Sequence, residues 1–126
     1  MTSTAGRIVL KNVMLLIKDV PKSATFYKEA LGCRVNFVNE HWAELESGHI
    51  KIALNRVEGE APATTGYSPF LCFNVEQMDK VIYKCIEMGA SLDGPIKYPS
   101  HGKIASLRAP DGHMIGLYEP VDREDV

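Results

Sequence analysis

No apolar run in this 126-residue chain approaches the ~18–20 residues that cross a bilayer as a helix. Cysteine is scarce. The 3 cysteines, Cys33, Cys72 and Cys85, are odd in number and stand in no C-x-x-C spacing. Such a set supplies neither a disulfide framework nor a thiolate metal site, and it is expected to stay reduced in a cytoplasmic setting. A strong excess of charge is missing too: 14 basic and 16 acidic residues leave a net charge of −2 and a pI near 6.1. That balance lacks the basic footprint of a nucleic-acid partner. Residues 1–6 are small and polar, unlike the basic start and apolar run of a signal peptide. What is present is ordinary for a globular domain: 45% hydrophobic and 24% charged residues. At 14.0 kDa, residues 1–126 are expected to form one domain.

The chain is written twice. Val13, Leu15 and Ile17 alternate at period two, which predicts a half-buried strand. Asp19 then offers a helix cap, and Pro21 is tolerated in a first turn, where its missing N–H has no partner anyway. Val20, Ala24, Tyr27 and Leu31 recur at helical spacing, and Gly32 suits the residue after a helix, free to take φ > 0. Short strands are predicted near 33–38, 42–46 and 50–57. The second half repeats the order: a strand over 70–75, a helix carrying Met78, Val81, Ile82, Cys85 and Ile86 that ends before Gly89, and strands near 91–96, 104–109 and 113–119. Each half reads β-α-β-β-β, module 1 over about 8–57 and module 2 over about 68–120. Gly59, Pro62 and Gly66 give 58–67 the chemistry of a linker. Residues 122–126 read as a charged tail that frays.

The strands have one clean apolar face and one mixed face. The clean face holds Val13, Leu15, Ile17, Ile50, Ile52, Leu54, Leu71, Phe73, Val75, Ile115 and Leu117, and is expected under the helices. The mixed face holds Asn12, Met14, Leu16, Lys51, Ala53, Asn55, Phe70, Cys72, Asn74, Met114, Gly116 and Tyr118. It suits a concave pocket wall, a subunit interface, or a pocket shared between subunits. A two-residue Ser47-Gly48 loop would pair Glu44 with Lys51 and Trp42 with Ala53. A three-residue Pro110-Asp111-Gly112 loop would pair Ser106 with Gly116 and Arg108 with Met114.

The paired modules resemble the vicinal oxygen chelate superfamily, which includes glyoxalase I, the extradiol dioxygenases and the fosfomycin- and bleomycin-resistance proteins. The resemblance is carried by Asp19-Val20 through Phe26-Tyr27 to Leu31-Gly32, by Gly89-Ala90, and by Ala109-Pro110-Asp111-Gly112-His113. It implies an α+β fold in which two tandem βαβββ modules form a cupped eight-stranded sheet, with helices on its outer face and commonly as a homodimer. In the family's metalloenzymes the cup holds a divalent metal, ligated by His and Glu from the first and last strand of each module. The corresponding positions here are Asn12, Ala53, Phe70 and Gly116. Asn12 is a weak ligand for a transition metal and the other three offer no side-chain donor. A slip of one residue brings Val13, Ile52, Leu71 and Ile115, which do not help.

No relocated site is visible. His41, His49, His101 and His113 show neither H-x-H nor H-E-x-x-H spacing and read as exposed or structural; His49 has mixed-face parity but sits at a hairpin mouth. Glu44 is expected to pair with Lys51. Cys72 faces the pocket with no histidine predicted beside it, which argues against a nucleophile. In place of a metal stand Trp42, Phe70 and Tyr118, with Arg108 able to hold an anionic group over them. This is similar to the bleomycin-resistance branch, which binds without metal or turnover. The expectation is therefore a metal-free, cofactor-free binder of a small, planar or aromatic molecule, contacted by Asn12, Trp42, Phe70, Cys72, Arg108 and Tyr118. Two alternatives stand. One is a glyoxalase-type lyase or isomerase with a displaced metal, or with Glu44 or Tyr118 as acid or base. The other is a dimeric interaction protein with a filled cup.

Overall fold

The computed structural model describes residues 7–59 and 66–121. The expected N-terminal segment 1–6, the charged tail 122–126 and the linker residues 60–65 lie outside the described residues. Module 1 runs β1 (Val13–Ile17), α1 (Val20–Leu31), β2 (Arg34–Val38), β3 (Trp42–Ser47), β4 (Ile50–Arg56). Module 2 runs β5 (Phe70–Asn74), α2 (Met78–Glu87), β6 (Ser91–Leu92), β7 (Gly102–Arg108), β8 (Met114–Pro120). The fold is α+β and consists of two βαβββ modules, as the sequence predicts.

Local chemistry sets the helix ends. The Asp19 carboxylate accepts the Lys22 backbone N–H at 3.1 Å, and Pro21 stands in the first turn of α1. Gly32 ends the helix in the left-handed region at φ 72°. Strand β6 is shorter than the predicted 91–96. Gly94 turns the chain at φ 88° and Pro95 lacks a ladder donor, so pairing resumes as a lone bridge between Lys97 and Ile104.

The strands order as β1-β4-β3-β2 and β5-β8-β7-β6, with β1 parallel to β4 and β5 parallel to β8. Within one chain the eight strands thus form two four-stranded sheets rather than one hydrogen-bonded cup. The β7–β8 register is the expected one, Ser106 opposite Gly116 and Arg108 opposite Met114. The β3–β4 register differs from expectation by two residues. Ser47 pairs with Ile50, Glu44 with Ala53 and Trp42 with Asn55. The turn is Gly48-His49, because Gly48 takes the first position with φ 59°, where a two-residue loop asks for positive φ. A slip of two keeps every side chain on its face.

Helix-side residues of both sheets and both helices form a single core. Leu15, Ile17, Leu45 and Leu54 from the first sheet and Leu107, Ile115 and Leu117 from the second meet Val20, Tyr27, Met78 and Cys85. Burial of each large aliphatic side chain contributes about 1.5–3 kcal/mol. The modules are also tied by polar contacts: the Ser23 and Tyr27 hydroxyls of α1 both donate to Asp111 Oδ2 in the β7–β8 turn, at 3.2 and 3.1 Å.

Candidate functional site

Ala53 and Met114 are 0% and 1% exposed, yet both lie on the mixed face and outside the helix-side core. Something on the mixed face covers them. In the second sheet Met114 lies between Phe70 and Arg108 in the ladder. Tyr67 stacks on Phe70 with centroids 6.4 Å apart, and the Arg108 guanidinium lies 5.6 Å from the Tyr67 ring centre. Arg108 Nη1 donates to the carbonyls of Gly66 and Gly112, at 3.1 and 2.8 Å. Tyr67, Phe70 and Arg108 therefore make one slab with flat π faces, the type of surface that takes a planar ligand.

Next along the strand, Gly116 lies under Phe70 and Cys72. A Cβ at 116 would stand 2.8 Å from Cys72 Sγ and 3.0 Å from Phe70 Cε1. The space that a longer side chain would use is occupied. Tyr118 follows on the same face. Its hydroxyl donates to the His101 carbonyl at 2.9 Å, and His101 Nδ1 lies 3.2 Å from the Tyr118 hydroxyl oxygen.

The first sheet carries the other half. Ala53 lies between Met14 and Glu44, and Trp42 sits beside Asn55 rather than over Ala53 as expected. Trp42 packs instead against Phe37, at 6.1 Å, where a bulge between Val35 and Phe37 brings Phe37 opposite Glu44. The Asn36 amide donates to Glu44 Oε2 and Glu46 Oε1, at 2.9 and 3.0 Å. Hydrogen bonds from Asn36 and Arg34 hold the Glu46 carboxyl below its usual range. The predicted Lys51–Glu44 pair exists on a diagonal, at 3.9 Å. Asn12 lies half-buried just ahead of β1. Both acid–base candidates are engaged, Glu44 by Asn36 and Lys51, Tyr118 by His101.

The four positions expected from the resemblance to correspond to metal ligands carry side chains that do not fit a metal. Asn12, Ala53, Phe70 and Gly116 supply one weak donor between them, and among the described residues no group of three His, Cys, Asp or Glu side chains could hold an ion. His41 and His49 are exposed; His101 serves Tyr118. His113 is buried at a structural joint, its Nδ1 3.2 Å from Asp111 Oδ1. All 3 cysteines are free thiols. Burial pushes Cys33 and Cys85 up to about 11, while Cys72 is exposed on the mixed face.

In one chain this face is open. Met14 and Phe70 are 51% and 42% exposed, and Leu16, Cys72 and Asn74 are exposed too. Phe37, Tyr67 and Asp111 were not read as site or joint residues from the sequence. Alternation did mark the strands, but a bulge, a ring stack and contacts across more than 80 residues leave no local signal.

With that geometry in place, relatives can be compared. The family model of the Glyoxalase/Bleomycin resistance protein/Dioxygenase superfamily matches residues 9–117. The chain belongs to this superfamily. One similar protein is the uncharacterized protein YraH of Bacillus subtilis (strain 168), 28% identical over 87% of this chain and 97% of its own length. Among solved structures, a glyoxalase family protein from Bacillus cereus superposes with a TM-score of 0.76 at 20% identity, over 96% of this chain and 100% of its own. The bleomycin-binding protein of Streptomyces verticillus, solved with copper(II)-bleomycin, superposes at 0.62 and 17% identity, over 92% and 99%. These likenesses establish the fold.

Proposed function

We propose that this protein binds a small planar or aromatic molecule on the mixed face, without a metal, and that a second copy of the chain closes the face over the ligand. The observation that carries the reading is the fate of the superfamily's ligand positions. Phe70 and Gly116 are joined in a packed aromatic surface with Cys72, and Ala53 is sealed beneath its neighbours. A divalent ion needs lone pairs at close range, and these side chains offer carbon instead. The same side chains offer stacking area: Trp42 with Phe37, and Phe70 with Tyr67. Asn12, Cys72 and Tyr118 supply the polar contacts, and Arg108 the positive charge. Exposed Met14, Leu16 and Phe70 form an apolar face of the kind that subunits or ligands cover.

The test has two measurements. Elemental analysis of protein purified without chelator or histidine tag is expected to find no stoichiometric transition metal. About one ion per chain would overturn the metal-free reading. A panel of planar aromatic compounds is then screened by emission of Trp42, the single tryptophan. Saturable quenching, with a matching rise in melting temperature, is the expected result. A panel that moves neither signal would assign the face to protein contact alone.

A further inference from the structure

A cavity among the described residues lies away from the mixed face. It has a volume of about 530 Å³ and opens at the junction of the modules, between the start of α1, Met88 after α2, and the β7–β8 turn. That size lies in the usual range for a small-molecule site. Its walls come from both modules, so it exists only when the modules are packed together.

The lining has a consistent polarity. Ile17 and Phe26, 1% and 2% exposed, form an apolar floor with Met88 and Pro110. A methionine wall adapts to different apolar shapes. At the mouth stand Lys18 and Lys22. Neither joins an ion pair among the described residues. Asp19 lies between them in sequence, but its carboxylate is engaged as the cap of α1. Asp111, the other carboxylate of the lining, is saturated. Its Oδ1 takes the backbone N–H and the ring nitrogen of His113, and its Oδ2 takes the hydroxyls of Ser23 and Tyr27. Asp111 is therefore closed to a cationic ligand and Asp19 has one oxygen committed to the helix cap, whereas both ammonium groups, with no ion-pair partner among the described residues, are open to an anion.

We propose that the junction cavity is a second binding site, separate from the mixed face, and that it takes a small amphipathic carboxylate. The head group lies between the ammonium groups of Lys18 and Lys22, and an alkyl or arylalkyl body lies against Phe26, Ile17 and Met88. Because the walls belong to different modules, an occupant braces one module against the other, beside the Asp111 joint.

Sodium octanoate is the probe, with octylamine as the chain of opposite charge. Backbone amide spectra of the intact protein are recorded during titration. Octanoate is expected to give saturable shifts at Ile17–Ser23 and Met88 and to raise the melting temperature, and octylamine to do neither. Reversing both charges with Lys18→Glu and Lys22→Glu, at exposed positions, is expected to weaken octanoate by about tenfold or more. Met88→Trp, which fills the floor, is expected to remove the shifts. The charge variant keeps the test decisive if the filled variant does not fold. Shifts confined to Trp42 and the mixed face, equal binding of both probes, no saturable shift, or octanoate affinity unchanged by charge reversal would each overturn the proposal. None of these outcomes bears on metal content, so this site and the mixed-face reading stand or fall separately.

Discussion

Gly116 and Cys72 stand side by side in β8 and β5, so close that a Cβ on 116 would come within 2.8 Å of the Cys72 sulfur. Phe70 closes the same spot from its other side at 3.0 Å. Gly116→Ala is therefore expected to destabilise by about 1–3 kcal/mol through overpacking. In a Cys72→Ala background the same substitution should cost less, with a coupling of at least ~0.5 kcal/mol. Urea unfolding of the four proteins of this cycle measures it. Additive effects would mean that the sulfur moves aside freely.

Gly116→Glu, which places a carboxylate at one of the positions that the resemblance implies for a metal ligand, is expected to bring no metal with it. The added carboxylate meets Phe70 and Cys72, and Ala53 and Phe70 still lack donors. Metal content after incubation with zinc or nickel should stay at the wild-type level while the melting temperature falls.

Asp111 joins the modules, and its titration has a defined direction. Burial alone would raise its pKa. The hydrogen bonds from the His113 ring and backbone, the His113 charge and the Tyr27 hydroxyl outweigh burial and hold it below the ordinary value. A depressed carboxyl pKa stabilises the fold fully above the unfolded value, near ~4, and this contribution drains away as pH falls through the folded value. Burial, then the Asp111 charge and hydrogen bond, raise Tyr27 well above the ordinary tyrosine value, so its hydroxyl stays a donor throughout this range. Asp111→Asn is expected to cost about 2–4 kcal/mol near neutral pH, because buried donors lose a charged acceptor. It should also flatten the acid limb of the stability curve. Denaturant midpoints recorded from neutral to acid pH check both; a variant with an unchanged acid limb would remove Asp111 from that role.

How much of this was legible beforehand depends on range along the chain. Alternation of Val13, Leu15 and Ile17, and the Pro110-Asp111-Gly112 loop, depend on neighbours, and strand, face and register came out as read. The Gly48 turn was misplaced because Ser47-Gly48 and Gly48-His49 both satisfy polar turn chemistry, and the positive φ of Gly48 decides between them. Face parity survived since the error was two residues. Asp111 read as a turn residue because its partners Ser23 and Tyr27 lie 88 and 84 positions away. Tyr67 read as linker for the same reason: a ring stack on Phe70 has no period in the sequence.

The open face predicts an assembly. Leu16, 41% exposed on the edge strand β1 and paired with Asn55 in the ladder, shares the mixed face with exposed Met14. Light scattering is expected to give a dimer, and Leu16→Glu to shift it toward monomer, since a charge placed in an apolar interface goes unpaired. Because the proposed ligand face is completed by the second copy, the same variant should lose the ligand-induced change in Trp42 emission. A monomeric wild type, or a monomeric variant that still binds, would separate ligand binding from assembly.

Arg108 tests the aromatic slab itself. Its Nη1 bridges the carbonyls of Gly66 and Gly112 while its plane lies over Tyr67, so it fixes the lead-in to β5 from the turn before β8. Lysine keeps the charge and can still donate to a carbonyl, but it has no planar guanidinium to lie over Tyr67 while its nitrogen reaches Gly66 and Gly112. Arg108→Lys is expected to cost about 1–2 kcal/mol, with a further loss in Tyr67→Ala that is less than additive. Hydrogen exchange should speed up at Gly66–Phe70 in both variants and leave α1 unchanged. If the slab forms the ligand surface, affinity for the best planar compound falls in both as well. A lysine variant with native exchange rates and lost affinity would instead assign Arg108 to direct ligand contact, and one with faster exchange and full affinity would place the ligand on the Trp42 side of the face.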